Sequence, residues 1–272
     1  MLLRITLVCL CLLSGLAAQG GTAEGAEPPF RDLDAINWMD FAQWVPDRID
    51  TVLLPVGTLE AHGVVNNGAD NTVPAAMARD LAPRLNAMYA PVIAYGVTTS
   101  LSAFPGTFKI SEPVFKAYCK EVMAGLQRTG FRNIIVINGH GPNFGPLSEA
   151  AAELSEETGV RTLVFNWWSY TADVTKEVYG TDGGHSGVNE NAAVLATTPE
   201  YVREELYDPQ QAWWRQDGAS AYPFPSSIIL YQPEEGYPDF DKDKADRFYS
   251  KVLDKVEKLV RTTIEKWKLA GL

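Results

Sequence analysis

The chain has 272 residues, a formal net charge of −11, 46% hydrophobic residues and 21% charged residues. This composition is typical of a folded globular protein and leaves room for one large α/β domain. The acidic balance argues against nucleic acid or anionic lipid as a partner, because both are bound through a positive field.

The N-terminus has the features of an export signal. Arg4 supplies a positive charge, residues 5–13 are almost wholly apolar, and small residues predominate at 15–18. The apolar run is short for a membrane span, which needs about 20 residues. We therefore expect residues 1–29 to be a signal peptide with a flexible lead-in, and the mature protein to be periplasmic or secreted and free of the membrane. An uncleaved membrane anchor is the alternative.

Cysteine usage agrees with export but does not establish it. Removal of the signal would also remove Cys9 and Cys11, which leaves Cys119 without an internal disulfide partner. Cys119 lies within an apolar helical stripe, so we expect a buried structural thiol rather than a nucleophile.

From residue 50 onwards, short apolar runs alternate with longer amphipathic ones. The short runs predict strands at about 51–56, 91–95, 133–137 and 160–165. The longer runs predict helices at about 71–88, 111–130, 146–158 and 241–269, with Asn71 and Ser111 as caps of the first two. Such alternation favours βαβ units, a mostly parallel sheet covered on both faces and a single domain over residues 30–272. Loops at the C-terminal strand ends should then build the site.

Only three histidines are present, and each lies in a glycine-rich turn beside a possible ligand or proton carrier. His62 follows the first strand in the run EAHG, His140 directly follows the third strand, and His185 comes five residues before Glu190. A single histidine is more often structural, but three in the same setting indicate a site.

The positions of four of these polar residues favour a metal site. Glu60 and His62 are two residues apart, so an extended backbone would place both side chains on one face. Asp70 begins the next helix, whose dipole favours a carboxylate, and His140 ends a neighbouring strand. Carboxylates with neutral imidazoles suit zinc, manganese or iron, and Asp70 could bridge two ions about 3.5–4 Å apart. The alternative is that these residues only form turns and cap helices.

Several motifs, in the correct order, resemble those of the creatininase family. They are LPVGTLEAHG at 54–63, FPGT at 104–107, VINGHGPN at 136–143, HSGVNE at 185–190 and GYP at 236–238. The resemblance extends from about residue 50 to residue 269. It implies a creatininase-like three-layer α/β fold with a mostly parallel central sheet flanked by helices. It also implies two divalent metal ions, hydrolysis of C–N bonds in amides, cyclic amides or formamides, and a homo-oligomer, often a hexamer.

The resemblance also implies roles for particular residues. Glu60, His62, Asp70 and His140 match metal ligands of the family, with Asp70 as the bridge. Creatininase proper completes the second metal site with a Glu where this chain has Pro142. Members with the N-G-H-G-x-N motif use instead the Glu that corresponds to Glu190, so strict creatininase activity is not expected here. The segment 63–69 is one residue shorter than usual and Val188 replaces a common acidic residue, which predicts a diverged specificity.

We therefore hypothesise a metal-dependent amidohydrolase acting on a small amide-like substrate through a metal-bridging hydroxide. His185 and Glu190 are the predicted catalytic residues, with His185 as proton donor to the leaving nitrogen or, alternatively, as a residue that orients a ligand. Trp167 and Trp168 follow a strand and are predicted to wall the substrate pocket, unless they are core or subunit-contact aromatics. Two other functions stay open. One is hydrolysis of a cyclic polyol- or sugar-derived ketone or lactone, and the other is a non-catalytic periplasmic binding protein.

Overall fold

The computed structural model describes residues 27–272. The predicted signal sequence and nearly all of the lead-in lie outside the described residues, so export and the domain boundary at residue 29 remain predictions. Within residues 27–272, no helix combines the length and apolar character needed to cross a membrane.

Helices and strands alternate along most of the described chain, except that the fifth and sixth helices are consecutive and so are the sixth and seventh strands. The helices are α1 (Trp38–Trp44), α2 (Ala69–Leu85), α3 (Glu112–Arg128), α4 (Phe144–Thr158), α5 (Trp167–Tyr170), α6 (Ala172–Tyr179), α7 (Val188–Thr197) and α8 (Lys242–Leu269). The strands are β1 (Thr51–Val56), β2 (Met88–Tyr89), β3 (Asn133–Asn138), β4 (Arg161–Asn166), β5 (Gly184–His185), β6 (Trp213–Trp214) and β7 (Ile229–Leu230). Short 3₁₀ turns lie at Gly141–Asn143, Pro199–Tyr201, Glu204–Leu206 and Pro209–Gln211.

A four-stranded parallel sheet in the order β2-β1-β3-β4 forms the centre of the fold. Every residue of β1 and β3 is buried, as expected for parallel strands covered on both faces. Alternate side chains enter two separate cores: Leu53 and Ile135 pack with α2, α7 and α8, whereas Leu54 and Ile134 pack with α3 and α4. The predicted three-layer α/β fold is therefore confirmed.

Most predicted elements match the structure, and the differences have local causes. The predicted strand at 91–95 is wrong, because Ile93 makes only an isolated bridge to Val56 and the paired strand is β2 instead. Pro91 lacks the N–H that a ladder residue donates. Helix α2 ends before the predicted residue 88 because Asn86 adopts a left-handed conformation with φ of 48°.

The capping prediction for Asn71 is also wrong. Helix α2 begins at Ala69 with Gly68 as its N-cap, and the Asn71 side chain instead donates to the carbonyl of Ala94 at 3.2 Å. The predicted burial of Cys119 is confirmed. Burial raises the pKa of its thiol to about 12, which agrees with a structural residue.

Candidate metal centre

Six of the predicted site residues converge beside the C-terminal ends of β1 and β3. These two strands are parallel neighbours, so the connections that leave them begin at the same edge of the sheet. The first connection leads into α2, and the second leads into α4. Strand β5 and the first turn of α7 contribute from the other side. The six residues are Glu60, His62, Asp70, His140, His185 and Glu190.

Two groups of ligand atoms share the carboxylate of Asp70. Its Oδ2 atom lies 2.8 Å from Nδ1 of His140, which in turn lies 3.1 Å from Oε1 of Glu60. Its Oδ1 atom lies 3.0 Å from Nε2 of His62, and that nitrogen lies 3.6 Å from Oε2 of Glu190. In each group the ligand atoms are within 4.8 Å of one another. Asp70 thus presents one oxygen to each group.

A backbone carbonyl fixes the orientation of each imidazole. The pairs are His62 Nδ1 with Glu60 O at 2.9 Å, His140 Nε2 with Val97 O at 2.8 Å, and His185 Nε2 with Ala61 O at 2.8 Å. A carbonyl only accepts, so in each neutral ring the paired nitrogen carries the proton. The other nitrogen of each ring keeps its lone pair and faces the carboxylates, which is the arrangement that metal-ligating histidines show.

The hydrogen bonding within the cluster leaves buried polar atoms unsatisfied. Among the described residues, Nε2 of His62 and Oδ2 of Asp70 have no partner at hydrogen-bonding angles, although each lies within 3.0 Å of an oppositely charged or polar atom. Both residues are less than 5% exposed. Buried groups of this kind require compensation, and two divalent ions would provide it for a mixed nitrogen and oxygen donor set. The residues therefore fit a dinuclear centre.

Protons and cations compete for this cluster. Burial opposes a charge on His62, yet Asp70 and Glu190 raise the pKa of its imidazole to about 10. Burial also opposes a charge on Asp70 and Glu60 and by itself would raise the pKa of each carboxyl. The attraction of His62 for Asp70 and of His140 for Glu60 outweighs burial and holds both pKa values below the ordinary range. Imidazolium protons thus balance the carboxylates when no metal is bound, and metal binding must displace them.

Glu190 and His185 have different environments from the rest of the cluster. Burial raises the pKa of Glu190 to about 8, against the opposing charge of His62. The backbone N–H of Ser186, a residue in the left-handed region with φ of 53°, donates to its Oε2 at 2.6 Å. Burial and the charge of His62 lower the pKa of His185 to about 4, so its ring is neutral at pH 7.

His185 lies on the open side of the cluster. Its side chain is 18% exposed, and its Nδ1 lies 3.6 Å from Oε1 of Glu60 and 4.0 Å from Oε2 of Glu190. Its ring is tilted against that of His62, with centroids 4.2 Å apart. This nitrogen can therefore act either on a substrate in the cavity or as a further ligand.

Two glycines let the N-terminus of α2 approach the strand ends closely. A Cβ atom on Gly139 would lie 2.0 Å from the carbonyl oxygen of Asp70 and 2.7 Å from Cγ of Pro74. A Cβ atom on Gly57 would lie 2.2 Å from the same carbonyl oxygen. Only glycine leaves room for Asp70 at this distance, so both positions set the location of the shared carboxylate.

We expect Gly139→Ala to destabilise the fold by about 1–3 kcal/mol, because the added methyl group must displace backbone. The same displacement should reduce metal retention. Gly145→Ala is the matched control, since no described atom beyond its chain neighbours and its own helix backbone lies within 4 Å of the new Cβ, and the residue is exposed in α4. Urea denaturation and metal analysis of both variants test this. Equal stability and metal content in the two would contradict it.

The cluster forms the floor of a cavity of about 340 Å³. Of the two tryptophans predicted to wall the substrate pocket, Trp168 lines this cavity. Trp167 does not line it, because its ring is 2% exposed and packs in the core with α2, α7 and α8. Much of the remaining wall was not predicted from the sequence, including Trp213, Arg215, Tyr222, Phe224, Ile229 and Tyr231. These residues follow a two-residue spacing at 213–215, 222–224 and 229–231, but each run is too short to indicate a strand from the sequence.

A parallel α/β sheet with carboxylates and imidazoles converging on a cavity at its C-terminal edge defines a metallohydrolase type of site. The chain belongs to the creatininase family, whose model, described as creatinine amidohydrolase, matches residues 34–260. The resemblance seen in the sequence motifs is therefore confirmed, and the protein is a creatininase-family hydrolase.

Relatives in the family differ in what they act on. Creatinine amidohydrolase of Pseudomonas putida is 26% identical over 186 residues, covering 61% of this chain and 72% of its own. The 3-dehydro-scyllo-inosose hydrolase of Thermotoga maritima is 27% identical over 254 residues, covering 81% and 79%. Mycofactocin precursor peptide peptidase of Mycobacterium tuberculosis is 27% identical over 174 residues, covering 60% and 64%.

Solved structures agree with the fold. A crystal structure of creatinine amidohydrolase superposes with a TM-score of 0.75 at 21% identity, covering 86% of this chain and 98% of its own. Two further creatininase structures, described as of the Zn-Zn type and as the Mn form, superpose with a TM-score of 0.72 at 21% identity and the same coverage.

Proposed function

We propose that the protein is a metal-dependent amidohydrolase that cleaves a C–N bond of a small amide, cyclic amide or formamide. The observation that carries this proposal is the carboxylate of Asp70, which is shared between two groups of ligand atoms beneath a cavity. The proposed ligands are Glu60, Asp70 and His140 for one ion, and His62, Asp70 and Glu190 for the other. The donor set suits zinc or manganese, and it also suits iron.

Two divalent ions bound here would supply a nucleophile from water at neutral pH and would polarise a substrate carbonyl. The protein itself fixes the geometry. The carbonyls of Glu60 and Val97 hold the two ligand imidazoles in one tautomer each, and the N–H of Ser186 holds Glu190. These supports lie in buried backbone, so the ligands are arranged before substrate arrives.

His185 is the proposed proton carrier. Its Nε2–H is held by the carbonyl of Ala61, while its Nδ1 is unprotonated, faces Glu60 and lies beside the cavity. This nitrogen can accept a proton released at the floor of the cavity and deliver it to the leaving nitrogen. Trp168, beside the same cavity, is the proposed substrate contact of the two predicted tryptophans.

A second candidate function is hydrolysis of a ring ketone or lactone derived from a cyclic polyol or sugar. It is favoured by the Thermotoga maritima hydrolase, whose match covers 81% of this chain against 61% for creatinine amidohydrolase. It is also favoured by Pro142, which lines the cavity at the position where creatininase proper has a glutamate ligand and which cannot act as a side-chain ligand. A third candidate, a non-catalytic binding protein, predicts tight ligand binding without turnover.

We also propose that the mature protein is exported and forms a homo-oligomer, for which the family resemblance suggests a hexamer. Exposed apolar side chains support self-association: Tyr95 and Phe108 are each half exposed with ring centroids 5.8 Å apart. Val114 and Tyr118, four residues apart on α3, are more than half exposed. Patches of this kind often mark protein contacts. Light scattering coupled to gel filtration measures the subunit number.

The experiment that tests the function combines metal analysis with a substrate panel. We expect protein purified without added metal to contain about two equivalents of zinc, manganese or iron, and His140→Ala to contain less. Lactams, formamides and keto-sugars then separate the two enzymatic candidates. Absence of metal in the parent protein, even after reconstitution, would exclude the proposed chemistry.

A further inference from the structure

One face of the small sheet formed by β5, β7 and β6 lines the cavity. In this sheet His185 pairs with Ile229, and Ile229 pairs with Trp213. Paired residues on neighbouring strands project to the same face. All three side chains line the cavity above the proposed metal centre, so this row begins at the proton carrier and runs outwards.

A second row on the same face contains Tyr231 and Arg215. Tyr231 follows Ile229 by two residues, and Arg215 follows Trp213 by two residues. Side chains two residues apart on a strand share a face. The pairing continues past β6, because the N–H of Arg215 donates to the carbonyl of Leu230 at 3.3 Å. Both side chains of this row also line the cavity.

The positive charge of Arg215 is not neutralised by the protein. Among residues 27–272, no carboxylate oxygen lies within 4.0 Å of its guanidinium, and the side chain is exposed to solvent. Among the described residues, the floor of the cavity thus contains carboxylates and imidazoles, and its wall contains the phenol of Tyr231 and the unpaired guanidinium of Arg215.

The spacing between Arg215 and the floor suits a small molecule. Arg215 lies two strands across from His185 and two residues along, which corresponds to roughly 12 Å between Cα atoms at the usual strand spacing of about 4.8 Å. The arginine side chain itself spans part of this distance, so the space left between the guanidinium and the floor is about as long as two extended residues. Trp213 and Phe224, with ring centroids 5.6 Å apart, supply an apolar wall beside it.

We propose that Arg215 binds the carboxylate of the substrate, and that the substrate class is the N-acyl amino acids. This inference rests on the proposed function. The acyl carbonyl would lie at the metal centre, the carboxylate would pair with the planar guanidinium, and an apolar side chain would contact Trp213 and Phe224. Water adds across the C–N bond: its hydroxyl joins the acyl carbon, its proton goes to the nitrogen, and a carboxylic acid and a free amino acid leave.

Binding of two probes of equal shape tests this proposal. N-acetyl-L-phenylalanine carries the carboxylate, and N-acetyl-L-phenylalaninamide lacks it. We expect the metal-loaded protein to bind the acid about 10- to 100-fold more tightly than the amide, as a charged hydrogen-bonded pair typically provides. In Arg215→Gln this preference should disappear, with the affinity for the amide changed less than about twofold. Arg128→Gln, at the exposed C-terminal end of α3, should keep it.

Stopped-flow quenching of tryptophan fluorescence measures these affinities in the first moments after mixing, before hydrolysis consumes the probe. A preference for the acid that survives in Arg215→Gln would overturn the proposal, because the metal ions would then be binding the carboxylate. Equal binding of both probes, or of neither, by the parent protein would also overturn it. Hydrolysis is assayed separately. An Arg215-dependent preference without cleavage would uphold the carboxylate site and count against the amidohydrolase function alone.

Discussion

Replacing Asp70 with asparagine should remove both metal ions, from about two equivalents to nearly none. The substitution keeps the shape of the side chain but offers one neutral oxygen and an NH₂ group in place of two anionic oxygens. The two oxygens of Asp70 face separate histidines, His140 and His62, so both of the proposed ions would lose a ligand at once. Hydrolysis should fall at least about 10³-fold, since metal ions supply the nucleophile.

A second variant makes this prediction specific to the shared carboxylate. Glu190→Gln should release only the ion bound beside His62, because Glu190 contributes to one of the two ligand groups. Glu200→Gln is the matched control, a glutamate exposed in a 3₁₀ turn, and should retain both ions. Metal analysis by mass spectrometry distinguishes losses of two, one and none. Loss of the same number of ions in Asp70→Asn and Glu190→Gln would show that Asp70 does not bridge.

The parallel sheet explains why so much of this cluster could be predicted from the sequence. The runs TVLLPV and NIIVI are short, apolar and rich in β-branched residues, and the structure extends the second by only one residue, Asn138. Because β1 and β3 are neighbours, residues directly after them must lie close together. The positions of Glu60, His62 and His140 therefore follow from local pattern and one topological rule.

The upper part of the cavity was not predictable in the same way. Strands β5, β6 and β7 have two residues each, too few for hydrophobic alternation to be recognised. Their pairing joins segments 184–185, 213–214 and 229–230, which are distant in the sequence. Without that register, Arg215 is one more charged residue in a polar stretch. Its location in the wall of the cavity, above the candidate metal centre, becomes visible only through tertiary structure.

The second tryptophan shows the same limit. Trp167 and Trp168 both follow β4, and the sequence favoured each equally as a wall of the pocket. They begin the short helix α5, and their rings lie at 82° to each other with centroids 6.2 Å apart. Consecutive residues on a helix do not share a face. One ring therefore enters the core and the other enters the cavity, and which one does so depends on how β4 ends.

His185→Gln should separate proton transfer from metal binding. Glutamine can still donate a hydrogen bond towards the carbonyl of Ala61, which now holds the ring, but it cannot carry a proton between water and a leaving group. We expect turnover to fall about 10²–10⁴-fold, the usual contribution of a general acid or base, while metal content stays at that of the parent protein. The dissociation constant for a non-hydrolysed ligand should change little.

Metal content in this variant decides between two roles that the geometry permits. The Nδ1 atom of His185 forms a third group of ligand atoms with Glu60 and His62, within 4.8 Å of both. If His185 were a metal ligand, its replacement by glutamine would lower metal occupancy, and added metal would restore part of the activity. If it carries protons, occupancy is unchanged and added metal has no effect. The neutral ring, its exposure on the cavity side and its place outside the two groups that share Asp70 favour the second outcome.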